Sequence, residues 1–393
     1  MTNFSSACDN EWVDDSARAI SSSFIEYFAM LEDARAAKKT SHPLLEIIFT
    51  TVCAYICGAN SWEGVLEFAR ARELWLKKYI TLGNGIPSLA TYWRTFAHLE
   101  PCAFEQCFRN WVHTLSGDTR HIAIDGKVLR GVHDKENPDS QLVLVSAWAT
   151  DKGLLLGQVK TDFKSNEITA IPRLLDMICV KDCLISIDAA GCQTKIAEKI
   201  SRLGGEYLLA LKGNQGTLRS DVEAFFLDAL SSNWEHLDFE RCESVEKGHG
   251  RIDTRTVYLV KDMADCIDNE QWPEIQSVIM VNSRRRTKDK ESEESRYYVT
   301  SSRMGVTEAA LAIRKHWAIE NGLHWSLDVG FREDRQVAQK MNLAENLAVL
   351  RRIAFTLLKQ EKSVLSLENK RMKAAMSEDY LDQVLGLNAT TIS

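Results

Sequence analysis

The sequence predicts an α/β protein preceded by an all-helical domain, and three observations support this prediction. From residue 21 to about residue 115, apolar residues recur at three- and four-residue spacing, which is the period of a helix. At His121 the apolar period changes to two, which is the period of a β-strand. Three such strands are followed by a helix, a strand, a helix and a strand, an order that predicts a mixed sheet.

The first predicted domain, residues 1–115, contains a candidate DNA-binding helix. A glycine-rich turn precedes a helix at residues 89–99, and Ser88 stands where a helix N-cap belongs. The helix is expected to expose three residues that could contact DNA: Thr91, Tyr92 and Arg94. This pattern suits the second helix of a helix-turn-helix, although it is also typical of an ordinary bundle helix.

The second predicted domain, residues 116–393, opens with the alternating apolar runs. Strands are predicted at residues 121–127, 141–150, 154–161, 183–189 and 206–211, with helices at residues 167–180 and 194–203. Asp151, Lys152 and Gly153 join the second and third strands in a hairpin turn. The order of these elements is that of the ribonuclease-H-like fold, a mixed sheet with helices on both of its faces.

Residues 212–302 interrupt this order and are predicted to form a β-rich, antiparallel insertion. Strands are predicted at residues 255–260, 277–282 and 296–301, with an exposed hairpin loop at residues 283–295. Glycines on both sides of His249 could present His249 and Arg251 to a phosphate on the active-site side, or form a plain turn. Helical spacing returns at residues 307–360, and the last 20 residues are expected to be a loosely attached tail.

Composition excludes several classes of protein. The chain of 393 residues is 45% hydrophobic and 26% charged, which is incompatible with a disordered or collagenous protein. Its longest apolar run, residues 44–57, is shorter than the roughly 20 residues that cross a bilayer, and we place it at the centre of the helical bundle. The 10 cysteines include no Cys-x-x-Cys pair, so we expect reduced thiols in a cytoplasmic protein.

The charge balance restricts the kind of nucleic-acid binding that is compatible with the sequence. A net charge of −7 argues against indiscriminate coating of nucleic acid, because neutralising phosphates needs a local excess of cations. A site-specific DNA enzyme is still compatible with this charge. Residues 340–373 carry eight Lys or Arg against three Glu, and this segment is either a phosphate-facing surface or a solvated helix face.

Two predicted strands end in the same pattern of an isoleucine, an aspartate and a small residue. Asp125 precedes Gly126, and Asp188 precedes Ala189. The two strands are neighbours in the predicted fold, so the carboxylates should converge to about 4 to 6 Å and share a metal site. Their oxygens suit Mg²⁺ or Mn²⁺. Alternatively, each aspartate only caps the turn after its strand.

A third carboxylate is expected from the late helix, where Glu320 lies between His316 and His324 at four-residue spacing. Apolar neighbours place Glu320 at the edge of a buried face, and a partly buried acid needs a compensating partner. Glu320 is therefore either a metal ligand or the partner of Arg314 or a neighbouring histidine. Three other acids lie at or beyond the helix end and are weaker candidates: Asp328, Glu333 and Asp334.

Five short motifs occur together in an order that is typical of a known family. They run from Ile122 to Lys127, Lys164 to Ile168, Ser186 to Ala189, Leu211 to Gln215, and His316 to Asn321. In this combination the chain resembles the DDE transposases of bacterial insertion sequences, and in particular the H-repeat-associated proteins. The resemblance extends over nearly the whole chain and implies a ribonuclease-H-like catalytic domain preceded by a helical domain.

The resemblance also implies an activity, which is metal-dependent cleavage of DNA at the ends of an insertion sequence and strand transfer to a target. Asp125, Asp188 and Glu320 would form the catalytic, metal-binding triad with two Mg²⁺ or Mn²⁺ ions. Six further residues are expected to bind DNA: Lys127, Lys212, His249, Arg251, Arg314 and Lys315. The expected partners are double-stranded element ends and target DNA, bound by a homodimer at the bacterial nucleoid.

The chain departs from the wider superfamily near Glu320. Relatives often have Arg four residues before the catalytic Glu and Lys seven residues after it, where this chain has His316 and Leu327. These differences leave open how phosphate near Glu320 is neutralised. Two rival functions also stay open, a nuclease that cuts DNA without joining it and a domesticated DNA-binding protein without catalysis, which the acidic charge balance would suit.

Overall fold

The fold is described by a computed structural model at residues 24–33, 35, 40–129, 142–161, 167–248, 250–263, 272, 274–288, 290–336 and 341–387. Contacts divide the chain into two compact units. The sheet unit consists of Asp118–Val128 and Leu142–His324, and the helical unit consists of Met1–Gly117, Leu129–Gln141 and Trp325–Ser393. Among the described residues, no helix combines the length and the apolar character that crossing a membrane requires.

The regular elements alternate between helical and extended stretches along the chain. The strands are β1 (His121–Leu129), β2 (Leu142–Ala149), β3 (Leu154–Lys160), β4 (Leu184–Ile187), β5 (Glu206–Leu211), β6 (Phe239–Gly248), β7 (Arg251–Lys261), β8 (Ser277–Arg286) and β9 (Glu291–Thr300). The helices are α1 (Leu44–Ile56), α2 (Trp62–Ala71), α3 (Glu73–Leu76), α4 (Leu89–His98), α5 (Pro101–Ser116), α6 (Glu167–Met177), α7 (Thr194–Arg202), α8 (Gly216–Ser231), α9 (Val306–His316), α10 (Trp325–Phe331), α11 (Leu343–Gln360), α12 (Leu367–Met376) and α13 (Glu378–Leu385).

The nine described strands of the sheet unit form one mixed sheet in the order β3-β2-β1-β4-β5-β9-β8-β7-β6. β4 runs parallel to both β1 and β5, whereas β2 and β3 form an antiparallel hairpin. The predicted hairpin of the second and third strands is therefore confirmed. The first and fourth strands lie side by side, as the sequence predicted.

Helices cover both faces of the sheet, which is why its central strands are apolar on both sides. Neighbouring residues of β5 illustrate this, because successive side chains of a strand point to opposite faces. Leu209 packs in a core with residues of α6, α7 and α8. Leu208 packs in the opposite core with Ala309, Ala312 and Ile313 of α9.

The antiparallel strands of the insertion extend the core sheet, because β9 pairs with β5. They are longer than predicted, and the loop expected at residues 283–295 is reduced to the few residues between β8 and β9. The prediction of a loop was wrong because opposite charges stabilise the strand ends: Arg284 faces Glu293 and Arg286 faces Glu291 across the pair. His249 lies outside the described residues.

In the helical unit, α1 lies at the centre, as the sequence predicted. All but one of its 13 residues are buried, and its main helical neighbour is α11 from the far end of the chain. The last helices are equally well packed, since Tyr380, Leu381 and Leu385 of α13 are buried. The prediction of a loosely attached tail was therefore wrong for the described residues up to 387. The predicted domain boundaries at residues 115, 212 and 302 stay predictions.

The candidate DNA-binding helix α4 has the predicted N-cap, because the Ser88 side chain accepts a hydrogen bond from the Thr91 backbone N–H. The expected exposure of Tyr92 was wrong, because Tyr92 is fully buried against the bundle. Of the three residues proposed to contact DNA, Arg94 is exposed and Thr91 is half-buried. The packing of Tyr92 is that of an ordinary bundle helix.

Several cations of the basic segment at residues 340–373 are interior residues. Arg351, Arg352, Lys370 and Arg371 are all buried. Arg352 forms an ion pair with Glu333 at 2.6 Å between side chains that are both inaccessible to solvent. These four cations therefore form neither a phosphate-facing surface nor a solvated helix face. Because Glu333 is committed to Arg352, it is also a poor alternative to Glu320 as a catalytic acid.

The buried ion pair gives a prediction about stability. Replacing Arg352→Met should lower the free energy of unfolding by about 3 to 5 kcal/mol, because the buried Glu333 carboxylate loses the cation that compensates it. Arg70→Met is the matched control, since Arg70 pairs with Glu67 at the surface and such pairs contribute about 0 to 1 kcal/mol. Urea denaturation of both variants measures the difference, and equal losses would contradict the assignment.

Candidate active site

The two aspartates belong to neighbouring parallel strands. Asp188 directly follows β4, whereas Asp125 lies within β1, which continues to Leu129, so the prediction that the first strand ends at its aspartate was wrong. Ile124 of β1 faces Ile187 of β4 in the parallel pair, so Asp125 and Asp188 occupy the next positions in register. Both line one cavity of about 470 Å³. Among the other residues that line the cavity are Lys212, Arg296, His316 and Glu320. All three carboxylates of the sequence-based proposal therefore line this cavity, and their role as metal ligands stays a prediction.

Asp188 has a structural role as well as a place in the cavity. Its Oδ1 atom accepts hydrogen bonds from the backbone N–H groups of Ala190 at 3.0 Å and Gly191 at 3.4 Å. The aspartate thus caps the short 3₁₀ turn after β4, as the alternative interpretation proposed. Both bonds use the same oxygen, so the cap does not occupy Oδ2. Capping and ligand binding are compatible at this residue.

Glu320 lies on a widened turn of the late helix. After α9 the chain forms a π-helical turn from Glu320 to His324, and turns of this kind are frequent at functional sites. A carboxylate oxygen of Asp125, one of Glu320 and a ring nitrogen of His324 all lie within 4.8 Å of one another. His324 Nδ1 is 3.6 Å from Asp125 Oδ2. His324 was not assigned to the site from sequence.

The surroundings of Glu320 differ from the sequence-based expectation. Ile319 and Leu323 are fully buried, but Glu320 is exposed, so the prediction of a partly buried acid was wrong. The wide turn keeps the carboxylate on the cavity side while its apolar neighbours pack inward. Arg314, one proposed partner of Glu320, instead forms an ion pair with Glu246.

Negative charge is crowded around Asp125. Its side chain is 13% exposed, and burial together with the charges of Asp188, Glu320 and Glu167 raises its pKa to about 8. Burial and Asp188 also raise the pKa of Glu167. Glu167 is therefore a fourth acid whose charge acts on Asp125, although it lines a different cavity, with Ala190 and Asn214. Glu167 stands in one of the sequence motifs, but nothing in the local pattern indicated that it would lie beside Asp125.

The donor set fits a divalent cation. Carboxylate oxygens are the ligands that Mg²⁺ and Mn²⁺ prefer, and an imidazole nitrogen suits transition metals. Asp125 is ionised at neutral pH only if its surroundings become less negative, as its raised pKa indicates. A bound cation would supply the positive charge that stabilises the ionised carboxylates.

A hydrogen-bonded chain of side chains lies behind Asp188. The Ser186 hydroxyl is hydrogen-bonded to His121 Nε2 at 2.8 Å and to His316 Nδ1 at 2.9 Å. Burial, reinforced by His316 and Lys315, lowers the pKa of His121 to about 3. Burial also lowers the pKa of His316, although Asp188 opposes this effect. Both imidazoles are therefore neutral at pH 7, and His316 does not supply the charge of an arginine.

The five described residues among the six predicted to bind DNA are dispersed in the structure. Lys212 is exposed and lines the cavity with the acids. Lys127 is 7% exposed, and such burial does not favour a DNA contact. Arg251 forms an ion pair with Asp253 at 3.2 Å, and Lys315 is half-buried. With Arg314 paired and His249 undescribed, DNA binding by these six residues stays a prediction.

Sequence reasoning missed two cations of the cavity, Arg219 on α8 and Arg296 on β9. The Arg296 guanidinium lies 5.1 Å from the ring centre of Trp317, which is 46% exposed. The two arginines are 77 residues apart in sequence and meet only because β9 pairs with β5. No local pattern could therefore have assigned them to one site.

The site combines paired aspartates from adjacent parallel strands with a glutamate on the π-helical turn after α9. This arrangement defines a class of acid-lined α/β sites. Comparison with known proteins identifies the particular class. Residues 116–357 match the transposase DDE domain family, and residues 25–112 match the DDE_Tnp_1-associated family. The chain belongs to the DDE transposase family.

Similar proteins carry names of the same kind. "Putative transposase YncI" of Escherichia coli O157:H7 is 39% identical over 372 residues, which cover 92% of this chain and 94% of the relative. "H repeat-associated putative transposase YhhI" of Escherichia coli K12 is 39% identical over 370 residues, covering 92% and 97%. A piggyBac transposase in a synaptic complex with hairpin DNA aligns with 97% of this chain at 9% identity, with a TM-score of 0.39. A similarity that distant supports no further conclusion.

The crowded charge gives a prediction about pH. In metal-free protein Asp125 keeps its proton to about pH 8 when folded but only to about pH 4 when unfolded, so stability falls as pH rises through this window. Asp125→Asn should therefore be more stable than the parent at pH 9, by up to about 6 kcal/mol, with the difference vanishing near pH 4. Denaturation in EDTA across this range measures the effect.

Asp221→Asn is the control for this pH series, since Asp221 is exposed on α8. Its stability should follow that of the parent at every pH. An Asp125→Asn protein that is less stable than the parent at pH 9 would contradict the proposed charge crowding.

Proposed function

We propose that this protein is a transposase that cleaves DNA at the ends of an insertion sequence and joins the released ends to target DNA. Its catalytic triad is Asp125, Asp188 and Glu320. The observation that carries the proposal is the convergence of these three acids on one cavity in a chain of the DDE transposase family. The sheet order, with a parallel β1–β4 pair next to a β2–β3 hairpin, supports a ribonuclease-H-like core.

Divalent metal ions are the cofactor of this proposal, with Asp125, Asp188 and Glu320 as the ligands. When bound, two Mg²⁺ or Mn²⁺ ions would supply the positive charge that activates a water or 3′-hydroxyl nucleophile and offsets the negative charge on the leaving oxygen. The chain supplies the positions of its donors. β1 and β4 fix the two aspartates in register, the 3₁₀ turn holds one oxygen of Asp188, and the π turn presents Glu320.

His324 and His316 have different roles in this proposal. His324 lies 3.6 Å from Asp125 and can orient that carboxylate or accept a proton beside it. His316 is neutral, is hydrogen-bonded to Ser186, and fills the wall of the cavity. Since Ser186 also contacts His121, the wall behind Asp188 is rigidly connected to β1.

Double-stranded DNA is the proposed substrate, both at the element ends and at the target. Three cations line the cavity with the acids and are the proposed phosphate contacts: Lys212, Arg219 and Arg296. Arg219 and Arg296 would exchange their ion pairs with Glu223 and Glu294 for the phosphates. The exposed ring of Trp317 beside Arg296 offers a surface on which a base can stack. We propose that a homodimer binds the two element ends.

Two rival functions are distinguished by one assay. A nuclease with the same core would cut the DNA ends that flank the gene but would leave the products unjoined. A domesticated binding protein would bind the DNA but would neither cut it nor join it to the target. Incubating the purified protein with labelled element ends, target plasmid and Mg²⁺ separates the three outcomes, because cleavage and strand transfer give products of different length.

The third acid gives a prediction about catalysis. Glu320→Gln should keep the fold and DNA binding but lower Mg²⁺-dependent cleavage by at least about a hundredfold, because an amide lacks the negative charge that binds the metal. Asp328→Asn is the matched control and should cleave at nearly the parent rate. Cleavage of the cognate ends by the Glu320→Gln protein at the parent rate would refute the triad.

The cations of the cavity give a prediction about salt dependence. Lys212→Gln and Arg296→Gln should each weaken DNA binding and lower the slope of log K against log salt by about 1, because each removes one phosphate contact. Lys181→Gln is the control, since Lys181 precedes β4 at the end opposite Asp188. Fluorescence anisotropy at several salt concentrations measures the slopes. Unchanged slopes for both cavity variants would place the DNA elsewhere.

A further inference from the structure

The buried imidazole of His324 lies at the edge of the acid-lined site. Its side chain is 8% exposed, and its Nδ1 atom is 3.6 Å from Asp125 Oδ2. A ring nitrogen of His324 belongs, with one carboxylate oxygen each of Asp125 and Glu320, to a group of atoms that all lie within 4.8 Å of one another. The site therefore includes a nitrogen donor as well as oxygen donors.

The distance between His324 and Asp125 suits two ligands of one ion. At 3.6 Å it exceeds the roughly 2.7 to 3.2 Å of an N–H···O hydrogen bond. Two atoms that each lie about 2.1 Å from one ion are about 3 to 4 Å apart, depending on the angle between them. The 4.8 Å limit for the whole group is slightly larger, and the exposed Glu320 side chain can rotate toward the other two donors.

The π-helical turn explains why Glu320 and His324 reach the same point. The turn begins at Glu320 and ends at His324, and side chains four residues apart lie on the same face of a helical turn. Leu323, directly before His324, is fully buried and anchors the turn in the core. Burial of the imidazole limits its rotation. The nitrogen is therefore held in place before any ligand binds.

Asp188 stands apart from this group, although it lines the same cavity. The acids and the imidazole are thus unevenly distributed around Asp125. Two oxygen donors, Asp125 and Asp188, come from adjacent strands, whereas the imidazole accompanies Glu320 on the π-helical turn. The two ions of the proposed function would therefore meet donors of different chemistry.

We propose that His324 is a metal ligand, and that Asp125, Glu320 and His324 form a mixed carboxylate–imidazole site that selects Mn²⁺ over Mg²⁺. Mg²⁺ is usually bound through one or two carboxylates and several waters, so an imidazole adds little to its affinity. Transition-metal ions accept imidazole nitrogen as a ligand. The proposal rests on the proposed function, since it assumes that the acids bind a divalent cation.

A structural role for His324 leads to different expectations. If the imidazole only orients the Asp125 carboxylate, its removal should weaken Mn²⁺ and Mg²⁺ binding by the same factor. A nitrogen ligand behaves differently, because its removal reduces affinity for Mn²⁺ and has little effect on Mg²⁺. The ratio of the two affinities therefore distinguishes the two roles.

Titration calorimetry of the metal-free, untagged full-length chain measures this ratio without requiring activity. His324→Ala should weaken Mn²⁺ binding by at least about tenfold and change Mg²⁺ binding by less than about threefold. His236→Asn is the matched control, since the His236 side chain is 91% exposed, and it should bind both ions like the parent. Circular dichroism confirms that each variant is folded.

Electron spin-echo spectroscopy of the parent protein provides an arm that does not depend on the folding of a variant. With one equivalent of Mn²⁺, the spectrum should show coupling of the ion to a nitrogen nucleus. The coupling should disappear in His324→Asn, which replaces the imidazole with an amide of similar reach, and should persist in His236→Asn. A parent spectrum without nitrogen coupling would overturn the proposal.

The outcomes separate this inference from the proposed function. If Asp125→Asn and Glu320→Gln abolish Mn²⁺ binding while His324→Ala leaves the ratio of the two affinities unchanged, the imidazole ligand is refuted and the triad stands. If the two acid variants also bind like the parent, the metal site itself is wrong, and the proposed function fails with it. A loss confined to Mn²⁺ in His324→Ala, with His236→Asn unchanged, supports the proposal.

Discussion

The parallel pairing of β1 with β4 is the constraint on which the candidate site depends. Because Ile124 faces Ile187, the next residues, Asp125 of β1 and Asp188 directly after β4, lie side by side. A slip of one residue would turn one set of side chains to the opposite face of the sheet. The isoleucines of both strands are buried in one core, and this burial fixes the register. The hydrophobic core therefore positions the acids.

The sequence allowed this part of the structure to be predicted because its signals are local. Alternating apolar residues identified β1 and β4, and their shared ending identified Asp125 and Asp188. The pairing of β9 with β5 could not be predicted in this way, because it depends on contacts between residues about 90 positions apart. For the same reason the sequence did not indicate that Arg296 lines the cavity. The π turn that brings His324 to Asp125 has no signature in the apolar period.

Charge along the chain was an unreliable guide to charge at the surface. The segment at residues 340–373 is strongly basic by count, yet four of its cations are buried and Arg352 is committed to Glu333. A count of charges cannot tell a long side chain that reaches water from one that compensates an interior acid. The sequence was no better a guide for the acid Glu167. Its position in the first turn of α6 is typical of an ordinary helix-terminal acid, but its side chain lies against Gly126 of β1.

The replacement of an expected arginine by His316 is compatible with chemistry on phosphates. A neutral His316, hydrogen-bonded to Ser186, cannot balance the charge of a phosphodiester. Positive charge at the cavity comes instead from Lys212, Arg219 and Arg296, which lie after β5, on α8 and on β9. These elements lie within residues 212–302, the predicted insertion. The four carboxylates that line the cavity, Asp125, Asp188, Glu294 and Glu320, outnumber these three cations. Because phosphate binding depends on a local excess of positive charge, holding DNA at this site requires the metal ions of the proposed function as well as the three side chains.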